Sequence, residues 1–441
     1  MKSRFILIIL IFLNNCSFDT KSGIWKSDNV NTKKKDDIFK DFENVSISDN
    51  IFDKIILLKN SNKIKISPAI NNLKWQDIYF SDENNLKNFK FSNLNKINFK
   101  SKKLTREKVN NYLIFENDNL IIADEKGNII VFSIKEKRII SKYNFYRKKY
   151  KGQKKKLNLY VENNIIYVSD NLGYLYSFNY KINKIIWAKN YKIPFRSNIK
   201  ISFDKIICSD ANNNLVFFNK INGEILKSIP TENSIITNDF GNNISINNNN
   251  LFYLNSYGSL YSGNIETMNL NWFINLNPSL NLKQSSLFNG REIINNGSKI
   301  IVSSNKNTYL IEADSGRILK KFNFSSTIKP IINNNIAFFL TKNSFLIAVD
   351  LLNPQILYSQ DVNLQVAKFL DSKKKSLSFK DMKLLNDEIY IFLDNSFILN
   401  FKNNGQLNQI KKLPSKINTF PIVIDSSILY LNLKKKLIVV N

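Results

Sequence analysis

The sequence predicts an all-β protein, an eight-bladed β-propeller of four-stranded antiparallel blades whose ring is closed by an N-terminal strand. Three observations predict this fold: a strand-rich unit recurs along the chain, its period is about 40 to 50 residues, and its last copy is incomplete. The clearest copy spans residues 164–191 and reads NIIYVSDNLGYLYSFNYKINKIIWAKNY. Eight copies in succession therefore predict eight blades.

Each complete copy contains three recognisable strands. In the clearest copy, an apolar run at residues 165–168 leads through a tight turn to residues 174–178, where aromatic residues alternate with others. A second turn leads to residues 185–187, whose β-branched and aromatic side chains favour a further strand. The apolar stretch that precedes each copy predicts the fourth strand of the blade.

The register of the copies can be compared at the centre of the last recognisable strand. The other copies begin near residues 119, 204, 250, 298, 335, 387 and 426. We expect a bulky apolar residue at this centre each time: Ile140, Trp187, Leu226, Trp272, Leu319 and Leu357. Burial between neighbouring blades explains these residues, the two tryptophans included.

The ring must be closed by a strand from outside the last copy. That copy stops after its inner strands, and an unpaired outer edge would be left open to other chains. Residues 96–100, KINFK, lie just before the first full blade. We therefore expect them to supply the missing outer strand and so join the two ends of the chain.

Residues 1–16 have the character of a lipoprotein signal peptide. Lys2 and Arg4 precede an apolar run at residues 5–13, which is too short to span a bilayer as an ordinary helix. The run ends in LNNC, where a lipoprotein signal has its modified cysteine, although two asparagines replace the usual small residues. We expect lipidation at Cys16. An uncleaved anchor and soluble secretion are the alternatives.

The rest of the chain divides into a tether and the propeller. Residues 17–49 are polar and charged without sustained periodicity, which predicts a flexible tether. Residues 50–441 form the predicted propeller domain, and its recognisable blades lie within residues 95–441. Residues 51–94 contain short apolar runs and an isolated Trp75, which the repeat pattern does not place in a blade.

The basic composition does not by itself indicate nucleic acid. The net charge is +28, from 64 Lys and Arg against 36 Asp and Glu. Lysines occur in the turns of nearly every copy, and Lys, Asn and Ile are abundant together, as an A/T-rich genome would produce. We therefore attribute the charge to solvated loops and expect no nucleic-acid partner, although it favours anionic membrane surfaces.

The residue inventory excludes several chemistries. The chain has no His and 2 Cys, which rules out Ser-His-Asp and Cys-His catalysis and the usual zinc and His-ligated haem sites. Cys208 lies in an apolar run, where a thiol behaves as a small buried hydrophobe. Acidic residues recur at one position of the repeat, where we expect them to accept hydrogen bonds from turn amides: Asp124, Asp170, Asp210 and Asp394. No catalytic, cofactor-binding or metal-binding residue is predicted.

The blade pattern, with hairpins such as Gly-Tyr-Leu-Tyr at residues 173–176, and the signal ending at Cys16 together resemble the PQQ-like β-propeller family. Within it, they resemble the lipoproteins of the outer-membrane β-barrel assembly (Bam) machinery. The resemblance covers residues 95–441 and the signal. It implies a non-catalytic scaffold without a cofactor, which assists the folding and insertion of β-barrel clients. Ser17, where Asp would retain a lipoprotein in the inner membrane, implies a lipid anchor on the periplasmic face of the outer membrane of a Gram-negative bacterium.

The resemblance also implies partner-binding residues. Family members dock on a POTRA domain of BamA, beside other Bam subunits, through a Leu-x-Leu-Arg loop after the second full blade. The matching place reads IPFR, so the expected contacts are Ile193, Phe195 and Arg196. A family Asp-x-Asp pair is reduced here to Asp239. An exposed aromatic beside an Arg is typical of interface centres, whereas the alternative is that Phe195 packs between two blades.

Two other classes of function share the predicted fold. The first is a PQQ-dependent periplasmic dehydrogenase, and enzymes of that related family need a calcium site, an acidic general base and often adjacent cysteines. The chain has no Cys-Cys pair, which argues against this class. The second is a propeller that binds polysaccharide or another polyanion through its basic loops.

Overall fold

The structure is a computed structural model that describes part of the N-terminal region and nearly all of the rest. It describes the backbone of residues 16–18 and 25–27 and all of residues 52–59, 64–146, 150–232, 241–277 and 288–441. The chain forms two compact units, Met1–Asn50 and Ile51–Asn441. In the first unit, strand Cys16–Phe18 pairs antiparallel with strand Trp25–Ser27. The other residues of the predicted signal and tether lie outside the described residues.

The second unit is an eight-bladed β-propeller, as the repeats predict. From inner to outer strand, blades 1 to 4 are Ile114–Glu116, Asn119–Ala123, Asn128–Ser133, Arg138–Asn144; Leu157–Glu162, Ile165–Asp170, Tyr174–Asn179, Lys184–Asn190; Lys200–Ser202, Lys205–Ser209, Leu215–Asn219, Ile225–Ile229; and Asn243–Asn247, Asn250–Leu254, Ser259–Asn264, Asn269–Asn275. Blades 5 to 8 are Ile294–Asn295, Lys299–Ser303, Thr308–Glu312, Ile318–Phe322; Ile331–Asn333, Ile336–Leu340, Phe345–Asp350, Gln355–Asp361; Phe379–Leu385, Glu388–Leu393, Phe397–Phe401, Leu407–Lys412; and Ile422–Ile424, Ser427–Leu431, Lys436–Val440, Ile97–Lys103.

Two elements fall outside this repeating plan. Strand Asn88–Phe89 adds to blade 7 in parallel, next to its innermost strand. An α-helix, Val362–Phe369, lies between blades 6 and 7, and the Asp361 carboxylate caps it by accepting a hydrogen bond from the Leu364 amide at 2.9 Å.

The closing strand is the one that the sequence predicts. Ile97–Lys103 pairs antiparallel with Lys436–Val440, so that Lys100 faces Ile438 and Phe99 faces Val439. The pairing continues past the last strand, because the amide of Asn441 donates to the carbonyl of Lys96 at 3.1 Å. The outer strand of blade 8 therefore comes from the N-terminal side of the ring, and the ring is closed by β-pairing.

The predicted register between blades was wrong by one residue in four of the six copies. Trp187 lies opposite Ser177, and Trp272 lies opposite Ser262. In both blades a β-bulge directly follows the serine. In blades 1, 3, 5 and 6 the equivalent residues are Ser141, Lys227, Lys320 and Tyr358. The predicted residues Ile140, Leu226, Leu319 and Leu357 are the extra residues of the β-bulges in these blades, which strand alternation does not count.

The two tryptophans are half-buried and join neighbouring blades. Trp187 donates from Nε1 to the carbonyl of Lys220 at 3.1 Å, and its ring covers Gly223 in the next blade. Trp272 repeats this arrangement, donating to Ala313 at 3.1 Å and covering Gly316. A side chain on either glycine would collide with the ring, and both glycines have φ of +73°.

Antiparallel strands place successive turns at alternate ends of the propeller. We call the end with the first-to-second and third-to-fourth strand turns, such as residues 163–164 and 180–183, the hairpin end. The opposite end carries the second-to-third strand turns, such as residues 171–173, and the links between blades, such as residues 191–199. We call it the linker end.

Candidate functional site

The predicted docking loop at residues 193–196 lies at the linker end, between blades 2 and 3. Its backbone is fixed on both sides by the neighbouring turns. The amide of Phe195 donates to the carbonyl of Asp170 at 2.9 Å, and that of Ala211 donates to the carbonyl of Pro194 at 2.8 Å. The loop is therefore pre-organised, which lowers the ordering cost of any contact that it makes.

The Phe195 side chain is buried, so the exposed aromatic expected in this loop is not found. Its exposed fraction is 5%, and its ring packs edge-on against Tyr191 and Phe218, each with centroids 5.9 Å away. Packing between blades, the alternative considered for Phe195, explains this position. Ile193 and Arg196 are half-buried and therefore partly accessible at the surface. Partner binding by the loop stays a prediction that now depends on these two residues.

The remaining predicted positions lie largely outside the described residues. Asp239 falls in residues 233–240, which the structure does not describe. Cys16 is the first residue of strand Cys16–Phe18, which the structure describes through its backbone. Within the described residues, no helix combines the length and the apolar character needed to cross a membrane.

Three of the recurrent aspartates accept hydrogen bonds from backbone amides of their own turns. Asp124 accepts hydrogen bonds from the amides of Lys126 and Asn128, at 3.0 and 3.1 Å. Asp170 and Asp210 accept the equivalent pairs of amide hydrogen bonds at 2.8 to 2.9 Å. Asp394 differs, since it accepts from the Ser378 hydroxyl at 2.5 Å. The first three therefore stabilise the turns of the propeller.

A segment that the repeat pattern could not place fills the axis of the propeller. Residues 72–89, which we call the axial segment, contact all eight blades. In order along the segment, its partners are Val423 of blade 8, Phe115 of blade 1, Val161 of blade 2, Lys200 of blade 3, Ile246 of blade 4, Asn295 of blade 5, Ile332 of blade 6 and Leu384 of blade 7. The segment makes one turn around the inside of the ring.

Side-chain amides and aromatic rings hold the axial segment in place. The amide of Asn85 donates to the carbonyl of Ile332 and accepts from its amide, both at 2.9 Å. Trp75, Phe80 and Phe89 form a buried aromatic cluster, with Phe80 centred 4.7 Å from Trp75 and 5.1 Å from Phe89. The axial segment is therefore part of the protein core.

A buried ion pair links the axial segment to blade 3. The Lys200 ammonium contacts the Asp77 carboxylate, with exposed side-chain fractions of 0% and 1%. Lys200 also donates to the carbonyl of Ser81 at 2.6 Å, and Asp77 accepts from the amide of Tyr79 at 2.6 Å. Such a pair is stable because each charge has further hydrogen-bonding partners.

The axis of the propeller leaves little space for a bound redox cofactor among the described residues. The central channel, the natural concavity of a propeller, holds the axial segment, and the cavity left at its linker end has about 80 Å³. Cofactor pockets usually have about 300 to 1,000 Å³. A groove of about 780 Å³ beside the α-helix has no carboxylate in its lining, which includes Leu57, Gln360 and Phe369. Within the described residues, no group of three Asp, Glu or Cys side chains could hold a metal ion.

Cys208 does not provide a nucleophile. Its side chain is fully buried between blades 2 and 3, near Phe195 and Phe218. Burial raises the pKa of the thiol well above its usual value, and the charge of Asp210 acts in the same direction. The thiol therefore stays protonated, as expected for a small hydrophobic core residue.

These features define a β-propeller whose axis is closed by its own chain. Its structure is similar to that of BamB from Moraxella catarrhalis, with a TM-score of 0.61 and 11% identity over 77% of this chain and 99% of that one. It is also similar to the quinohemoprotein alcohol dehydrogenase of Comamonas testosteroni (TM-score 0.60, 9% identity, 82% of this chain and 76% of that one). A europium-containing methanol dehydrogenase matches with a TM-score of 0.58 and 8% identity, over 83% of this chain and 89% of that one. The sequence matches no protein-family model and no curated protein. At these identities, the similarity shows the fold alone.

Proposed function

We propose that this protein is a non-catalytic scaffold lipoprotein of the Bam complex, which assists the folding and insertion of outer-membrane β-barrel proteins. Lipid on Cys16 would hold it at the periplasmic face of the outer membrane. The linker end would dock on a POTRA domain of BamA, with Ile193 and Arg196 in the contact and Asp239 as a further candidate. Other Bam subunits would share the complex.

The filled axis is the observation that supports a scaffold over an enzyme. BamB and the quinohemoprotein dehydrogenases share this fold, so the fold alone does not separate the two functions. Here the axial segment occupies the channel, and the described residues offer neither a metal-binding cluster nor a cofactor-sized axial cavity. Both observations favour binding through the surface of the propeller.

Co-purification from solubilised outer membranes tests this proposal. Wild-type protein is expected in the membrane fraction, and its capture is expected to retain BamA. The Cys16→Ser variant is expected in the soluble fraction, because it lacks the cysteine that would carry the lipid anchor. Capture of the membrane-bound protein without BamA would contradict the scaffold proposal. Membrane retention of Cys16→Ser would contradict the lipid anchor alone.

A further inference from the structure

The cavity at the linker end of the axis has the walls of a small binding site. Its volume is about 80 Å³, and its lining includes Trp75 and Tyr79 of the axial segment. Tyr112 and Phe420 come from links between blades. The ring centroids of Tyr79 and Tyr112 lie 5.7 Å apart, and those of Tyr112 and Phe420 lie 5.1 Å apart. These three rings are half-buried, so the cavity is accessible from solvent.

Cationic side chains outnumber carboxylates in the lining. Four basic residues line it, namely Arg291, Lys329, Lys380 and Lys383, together with the two acidic residues Glu292 and Asp381. Lys383 is paired with Asp381 at 2.5 Å, and Lys380 lies 3.5 Å from the Asp394 carboxylate. The cavity is therefore electrostatically suited to a negatively charged group.

Lys329 is a half-buried basic residue of the lining whose charged form is disfavoured by its surroundings. Its ammonium donates to the carbonyl of Tyr79 at 2.8 Å and lies 5.7 Å from the centre of the Tyr79 ring. In the described part of the chain, no carboxylate forms an ion pair with it. Burial, and next the charge of Lys383, lower the pKa of Lys329 to about 7, against the opposing effects of the three nearby carboxylates, Glu292, Asp381 and Asp77. A bound anion would stabilise the charged ammonium.

The size of the cavity limits what it can hold. About 80 Å³ is well below the about 300 Å³ of the smallest usual ligand pockets, so a single functional group fits and a whole cofactor does not. A carboxylate on a thin methylene stem matches this space, because its oxygens can reach the cations while its stem contacts the rings. This is the shape of an aspartate or glutamate side chain.

The surface around the cavity favours an acidic protein. Exposed basic residues occur throughout the linker end: Arg106, Lys108, Lys126, Lys151, Lys154, Lys156, Lys192, Lys342, Lys373, Lys374, Lys375, Lys416 and Lys434. Acidic side chains at this end are fewer and include Glu107, Glu125, Asp371 and Asp394. The hairpin-end turns carry both signs, as in Lys135, Glu136, Lys181, Asp314, Lys402 and Asp425. Charge complementarity therefore directs an acidic partner to the linker end.

We propose that this axial cavity binds the carboxylate of an acidic side chain which another protein inserts at the linker end. The site is separate from the loop at residues 193–196 and does not require BamA as the partner. It consists of Lys329 and Arg291 as the carboxylate contacts and of Tyr79, Tyr112 and Phe420 as the walls around the side-chain stem.

Binding of a labelled peptide of alternating Glu and Gly to the full-length protein in detergent tests the site. Fluorescence anisotropy is expected to show binding of this peptide and not of the matched Gln-Gly peptide. Lys329→Met is expected to weaken binding by at least about tenfold, because it removes a partly buried charge. Arg291→Gln, at the exposed rim, is expected to weaken it by about threefold even if Lys329→Met folds poorly.

The pH dependence provides a second signature. Because Lys329 loses its proton as the pH rises through about 7, affinity is expected to be higher at pH 6 than at pH 8.5. This difference is expected to vanish in Lys329→Met. Equal affinities at both pH values in the wild type would contradict the role of Lys329.

Matched variants separate the cavity from general charge. Lys402→Met, at the hairpin end, removes the same charge and is expected to leave affinity unchanged. If Lys434→Met and Lys329→Met weakened peptide binding equally, the binding would be due to the overall positive charge of the linker end and not to the cavity. Displacement of the peptide by millimolar acetate or phosphate would assign the cavity to a free anion. Lys329-dependent binding to phosphatidylglycerol vesicles would assign it to lipid. Each of these three outcomes would contradict the proposal that the cavity binds an acidic side chain of another protein.

Discussion

Deletion of residues 17–103 is expected to abolish folding of the propeller. The deletion removes both the axial segment and the closing strand Ile97–Lys103. Among the described residues of this range, the buried apolar side chains are Trp75, Phe80, Leu86, Phe89 and Phe91. Burial of each contributes about 1.5 to 3 kcal/mol, so their sum is comparable with the about 5 to 15 kcal/mol by which a whole native protein is stable. The outer edge of blade 8 would also be open to aggregation.

Shorter deletions separate the two elements and supply the control. Removing residues 17–35 is expected to leave the thermal midpoint unchanged, whereas removing residues 17–91 takes away the axial segment and keeps the closing strand. We expect the second variant to be soluble but strongly destabilised. Thermal unfolding followed by circular dichroism checks both. A wild-type midpoint after deletion of residues 17–103 would disprove closure by this strand and any stabilising role of the axial segment.

Replacement of Lys200 by Met is expected to lower the free energy of unfolding by about 3 to 5 kcal/mol. The variant leaves the carboxylate of Asp77 buried without its cation, at an exposed fraction of 1%. The double variant Asp77→Asn with Lys200→Met is expected to recover most of the loss, since neither charge remains and Asn can still accept the hydrogen bond of Tyr79. Urea unfolding of both variants measures the difference.

Lys205→Met is the matched control for this buried pair. Lys205 contacts Asp204 at 2.8 Å, but the aspartate is 61% exposed. Exposed pairs contribute about 0 to 1 kcal/mol, so a small change is expected. If Lys200→Met were no more destabilising than Lys205→Met, the Asp77–Lys200 pair would not fasten the axial segment to blade 3.

The propeller could be predicted from sequence because its signals are local and repeated. Alternation in residues 174–178 and a turn glycine at Gly173 report directly on strands and hairpins, and the incomplete last copy pointed to Ile97–Lys103. The axial segment could not be predicted, because it contacts the blades one after another through irregular backbone and Asn hydrogen bonds. No periodic pattern results from such contacts.

The orientation of Phe195 in the predicted docking loop could not be derived from sequence for a different reason. Phe195 stands beside Arg196 in a polar link, which is also how an exposed interface aromatic looks in sequence. Its orientation is decided by Tyr191 and by Phe218, which lies in another strand and covers the ring from the next blade. The basic cavity could not be predicted for the same reason. Its residues Tyr79, Lys329 and Lys383 come together only when blades 6 and 7 close around the axial segment.

Calorimetric titration of the full-length protein with the periplasmic domains of BamA tests the scaffold role most directly. We expect measurable binding to a POTRA domain. Arg196→Glu at the linker end is expected to weaken it by at least about tenfold through charge repulsion, and Lys402→Glu at the hairpin end to leave it unchanged. Absence of binding by the correctly folded wild type, or equal loss in both variants, would contradict docking through the linker end.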